Sequence, residues 1–97
     1  MSSLTFLHEA EVEMWEAVVY YEERASGLGM DFKKEVECAF ERIHSSPQRC
    51  PLRDDGTRRF LLARFPYVVV YTVERGLVWI LAIAHCKRKP GYWGSRG

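Results

Sequence analysis

At 97 residues, 47% hydrophobic and 28% charged with a net charge of +1, the chain has the composition of one ordinary globular domain over residues 1–97. Its longest apolar run, Leu77 to Ala84, falls far short of the roughly 20 residues that a membrane-spanning helix needs, and its first residues have neither the basic segment nor the long apolar stretch of a secretory leader. Cys38, Cys50 and Cys86 are odd in number and lack CxxC spacing, which argues for a reducing, cytoplasmic setting and against a disulfide framework or a zinc site.

The near-zero net charge conceals a strong asymmetry. Residues 1–46 carry four bases against ten acids, a net of −6, whereas residues 47–97 carry ten bases against three acids, a net of +7. Such a dipolar chain suits either a basic face for nucleic acid or an acidic partner, or simply solvated helix faces and strand ends.

Ser3 to Leu7 is a short apolar candidate strand. From Glu9 the spacing becomes helical, with Val12, Trp15 and Val19 (joined by Ala17 and Val18) expected as the buried stripe and the glutamates on the opposite face. Ser26-Gly27-Leu28-Gly29 breaks this helix. A second is expected from about Met30 to His44 on the stripe Phe32, Val36, Ala39, Phe40 and Ile43, with Cys38 as a small buried residue. Ser45-Ser46-Pro47 ends it, because proline cannot continue a helix. Residues 47–57, with two prolines and Asp54-Asp55-Gly56, form an exposed connection, and Arg58 to Ala63 reads as a strand.

After the turn Arg64-Phe65-Pro66-Tyr67, the runs Val68–Val73 and Leu77–Ile83 flank Glu74-Arg75-Gly76. This is a β-hairpin buried on both faces, because a half-exposed strand would alternate apolar with polar residues. Trp15, Phe40 and Trp79 are expected in the core. The order β-α-α-β-β-β defines an α+β fold, a helical hairpin covering one face of a small, mainly antiparallel sheet.

The hairpin is followed by His85, Lys87, Arg88, Lys89, Tyr92, Trp93 and Arg96, a basic and aromatic tail beyond what a hairpin needs to fold. Arg88 suits bidentate binding of phosphate or carboxylate, with a surface salt bridge as the plainer alternative. Tyr92 and Trp93 suit stacking on a base or covering the core, and His85 suits proton transfer or capping of backbone groups.

Three segments carry a family resemblance: Glu16-Ala17 with Tyr20 through Gly29 and Phe32; Arg59 through Tyr71, RFLLARFPYVVVY; and Ala82 through Arg96, AIAHCKRKPGYWGSR. Together they resemble the RelE/ParE superfamily of bacterial toxins, the toxin halves of type II toxin–antitoxin pairs, also known as plasmid stabilisation proteins. The resemblance covers essentially the whole chain and agrees with the element order above. It implies growth inhibition, a cognate antitoxin bound in a hetero-oligomer, no cofactor or metal, no membrane, and a target that is either DNA gyrase or ribosome-bound mRNA.

The RelE-like branch cleaves mRNA, a reaction that needs an activated 2′-hydroxyl, cations on the phosphate and a proton for the leaving oxygen. For that mRNA interferase activity the resemblance offers His85, Arg88 and Tyr92 as the catalytic set. Phe60, Leu62 and Val68 stand where that branch carries cations, so the resemblance is closer to the ParE-like gyrase inhibitors, which are not enzymes. Arg58, Arg59, Arg64, Lys87, Arg88, Lys89, Trp93 and Arg96 are then expected to bind target or antitoxin. A third reading is a degenerate toxin that only binds its antitoxin and co-represses the operon.

Overall fold

The computed structural model describes residues 3–96. Its elements are β1 (Ser3–Phe6), α1 (His8–Arg24), α2 (Leu28–Ser45), β2 (Arg58–Leu61), β3 (Tyr67–Glu74), β4 (Leu77–His85) and a short 3-10 turn at Tyr92–Ser95. Two helices pack on a four-stranded sheet of order β1-β4-β3-β2, in which β1 runs parallel to β4 and the other neighbours are antiparallel. The α+β class and the β-α-α-β-β-β order are those read from the sequence.

The β3–β4 hairpin closes through Arg75 and Gly76, at φ 53° and 77°. Two consecutive left-handed residues match the twist of the flanking strands, as tight hairpins require. Farther along, Val70 pairs with Ala82 but Tyr71 pairs with Ile80, so Leu81 is an extra residue in β4. This bulge reverses the facing of β4. Before it Val78 and Ile80 join the helix-side core; beyond it Ile83 does, while Ala82 and Ala84 join a second cluster on the opposite face.

The helix-side core combines Val69, Tyr71, Val78, Ile80 and Ile83 from the sheet with Phe32, Val36, Ala39 and Ile43 from α2. The expected α2 stripe is the buried one, with Phe40 half-buried against Phe6 at 5.0 Å between rings. The turn before β3 docks here through Phe65, whose ring lies 4.9 Å from Tyr21 and 5.1 Å from Phe32. Glu22 joins the two helices by accepting from the backbone N–H groups of Gly27 (2.9 Å) and Gly29 (3.0 Å), replacing the absent side-chain cap of α2.

Helix α1 corrects the sequence reading. Its buried residues are Ala10, Met14, Ala17 and Val18, whereas Val12, Trp15 and Val19 are 40%, 45% and 54% exposed. Ala10 and Ala17 let the helix backbone lie close to the sheet, and the larger stripe points outward. Trp15 is therefore not a core residue, Cys38 is exposed rather than buried, and Trp79 is only half-buried. The opposite face of the sheet is covered by the C-terminal tail: Trp93, 3% exposed, packs with Val70, Leu81, Ala82 and Ala84. The middle and far end of the hairpin are thus buried on both faces, by helices on one side and its own continuation on the other, whereas near the turn Leu77 is exposed and Thr72, Val73 and Trp79 are half-buried.

Candidate functional site

The tail turns back at Gly91, at φ 93°, where a side chain would be strained. This puts Tyr92 and Arg96 beside α1, where they meet Glu13, a carboxylate only 10% exposed. The Tyr92 hydroxyl donates to Glu13 Oε2 at 2.6 Å. The Arg96 guanidinium donates to both carboxylate oxygens, at 2.9 and 3.3 Å, and to the carbonyl of Leu81 at 3.1 Å. The backbone N–H of Ile83 donates to Glu13 Oε1 at 3.1 Å. Arg88 completes the cluster as an ion pair at 3.5 Å, its guanidinium 3.7 Å from the centre of the Tyr92 ring.

The location follows from the topology. Strand β1 pairs with β4 only as far as Phe6 and Ile80, which leaves the far half of that β4 edge without a neighbouring strand. Glu13 and Arg96 supply an acceptor and a donor to Ile83 and Leu81 there, doing with two side chains what a strand would do with its backbone. Burial, reinforced by the hydrogen bond to Glu13 and by its negative charge, holds the Tyr92 hydroxyl well above the usual tyrosine range.

His85 and Arg88, two of the three expected nuclease residues, line a cleft of about 220 Å³ with Glu13, Glu16, Tyr20 and Tyr67. The third, Tyr92, is tied down by Glu13. His85 Nδ1 accepts from the backbone N–H of Lys87 at 3.0 Å, and its ring meets the Tyr67 ring edge-on at 5.0 Å. The positions where cations would support RNA cleavage are apolar and packed: Leu62, just past β2, is buried, and Phe60 and Val68 are half-buried against the two clusters.

The remaining basic residues fall into two groups. Arg58 donates to the carbonyls of Cys50 (2.6 Å) and Gln48 (3.3 Å), and its register partner Tyr71 donates to that of Pro47 (2.8 Å). Together they fasten the connection before β2, so Arg58 has a structural task. Arg59 pairs with Asp55 at 3.6 Å and lies 5.0 Å over the Trp93 ring. Arg64, Lys87, Arg88 and Lys89 are exposed. They cluster at one end of the sheet, where the turns before β3 and after β4 are joined by the Cys86 N–H donating to Pro66 at 2.8 Å. Of the predicted binding residues, then, Arg64, Lys87, Arg88 and Lys89 are exposed at this end, Arg64 lying 3.7 Å from Asp31 and Arg88 3.5 Å from Glu13, whereas Arg58, Arg59 and Arg96 are held in part-buried positions and Trp93 is buried.

Glu13 was not singled out from the sequence, where it is one glutamate among several. A signal existed: it lies three residues after Ala10 and four before Ala17, on the flank of the face that is in fact buried.

A sequence profile described as the ParE toxin of the type II toxin–antitoxin system parDE matches residues 4–90. The chain belongs to the ParE toxin family. A solved structure from P. aeruginosa, titled as its chromosomal ParDE TA system, shares the fold with a TM-score of 0.66 at 20% identity, covering 90% of this chain and 98% of that one. No curated protein matches the chain. Membership in this family makes the protein the toxin of a type II pair, whose counterpart is an antitoxin. Among the described residues no helix is long and apolar enough to cross a membrane, and no group of His, Cys, Asp and Glu is arranged to hold a metal.

Proposed function

We propose that the protein is a toxin that inhibits DNA gyrase by binding it, acting in the cytoplasm as one domain without nuclease chemistry. The observation that carries this reading is the Glu13 cluster. A metal-independent ribonuclease needs free cations for the phosphate and a free proton carrier. Here one carboxylate holds Tyr92 and Arg96, and apolar packing occupies the neighbouring positions where cations would support cleavage. The exposed cations Arg64, Lys87, Arg88 and Lys89 support recognition of an acidic surface, on the target or on the cognate antitoxin.

The test is parallel assay of the purified protein on gyrase supercoiling of relaxed plasmid and on ribosome-bound mRNA. Supercoiling should stop while the message stays intact. Cleavage of the message that disappears in Arg88→Ala would overturn the proposal in favour of the ribonuclease. Inertness in both assays, with no growth arrest when the folded protein is induced, would favour the degenerate, antitoxin-binding reading.

A further inference from the structure

The outward face of α1 carries a second surface, which meets the His85–Arg88 cleft only at Glu16. His8, Glu11, Val12, Trp15, Glu16 and Val19 form an open, largely apolar surface along the helix. Val12, Trp15 and Val19 recur at i, i+3 and i+7, so they form one straight apolar seam, with Glu11 and Glu16 beside it. The inner face of the helix already accounts for its attachment to the sheet. An outward seam at this spacing has the form of a surface that packs against another helix.

Charge decides what that helix carries. In a second copy docked about a two-fold axis, Glu11 and Glu16 of both chains would share one seam. The cation that approaches this face, Lys33 at 5.8 Å from the Trp15 ring, already pairs with Glu37 at 2.8 Å. His8, at one end of this face, is the basic side chain among those that line it. Self-association therefore concentrates like charges, whereas Lys or Arg on an incoming helix would meet opposite ones.

We propose that the outer face of α1 docks an amphipathic helix of a partner protein, with apolar anchors over Val12, Trp15 and Val19 and basic residues against Glu11 and Glu16. This site is opposite in charge to the Arg64–Lys89 surface and does not depend on whether gyrase is the target.

The test titrates the full chain with two designed helical peptides that share a leucine seam, one flanked by Lys and Arg and the other by Glu. The basic peptide should bind about tenfold or more tightly than its acidic twin, with affinity falling as salt rises. Trp15→Glu should abolish binding without changing circular dichroism or melting temperature, and the pair Glu11→Lys and Glu16→Lys should reverse the preference between peptides. If Trp15→Glu proves misfolded, the charge-reversed pair alone decides. Equal affinities, no binding, or binding indifferent to these substitutions would overturn the proposal. So would a dimer of the unmodified chain in sedimentation that Trp15→Glu dissociates, since that assigns the face to a second copy.

Discussion

Replacing Glu13 with Ala removes the acceptor shared by Ile83, Tyr92 and Arg96 and leaves the Arg96 guanidinium, 15% exposed, without its counter-charge. Breaking a buried, hydrogen-bonded ion pair from one side costs about 3–5 kcal/mol. The Arg88 contact adds little, because that side chain is 55% exposed. A loss of about 3–4 kcal/mol is a large share of the ~5–15 kcal/mol typical of a domain, and corresponds to a fall in melting temperature of about 12–30 °C. Urea unfolding followed by circular dichroism measures it. A double-mutant cycle with Arg96→Ala isolates the pair: the double variant should cost at least about 2 kcal/mol less than the sum of the singles. Glu13→Gln, which keeps an acceptor but loses the charge, should fall between wild type and Glu13→Ala. Additive single effects, or a cost below about 1 kcal/mol for Glu13→Ala, would refute the view that this carboxylate holds the tail.

Burial raises the pKa of Tyr21, Tyr67, Tyr71 and Tyr92 above the ordinary value of 10.0, with the Glu13 hydrogen bond adding to it at Tyr92. The unfolded chain then loses these protons first, so the stability they confer is complete below about pH 10 and is lost progressively above it. Unfolding midpoints measured from pH 9 upward should decline, and Tyr92→Phe should make the decline shallower. Trp93→Ala should lower stability by about 3–5 kcal/mol, as removal of a buried indole does; retained stability together with lost target binding would instead make Trp93 a contact residue.

Two features made most of the fold legible in the sequence. The hairpin's first strand, Val68 to Val73, is β-branched or aromatic throughout and its second, Leu77 to Ala84, is wholly apolar, and the stripe of α2 is larger and more apolar than anything on its other faces, so period and composition agree. In α1 they disagree. The face against the sheet is Ala10, Met14, Ala17 and Val18, while Val12, Trp15 and Val19 face outward, so apolar residues lie on both sides and a reading by hydropathy selects the wrong one. Close approach of a helix to a sheet favours small side chains, and a hydropathy pattern does not record distance. The tail was legible only as basic and aromatic. Its dependence on Glu13 is a contact across 83 residues that local periodicity cannot encode. Trp93 could be read as a binder or as a cover for the core, and the bulge at Leu81, which sets the facing of Ala82 and Ala84, lies inside a run where every residue is apolar.

The parallel pairing of β1 with β4 carries a consequence for the order in which the chain is made. Ser3–Phe6 is synthesised well before its neighbour in the sheet, which begins at Leu77. The buried carboxylate of Glu13 likewise waits for Tyr92 and Arg96. An emerging chain can build its helical hairpin from local contacts, but it holds an unpaired strand and an unfilled acceptor until residues 77–96 follow. A chain released before Leu77 lacks the strand that joins β1 to the sheet, and one released before Tyr92 lacks the cover over the second face. Synthesis as far as Arg96 is therefore what permits the fold to close.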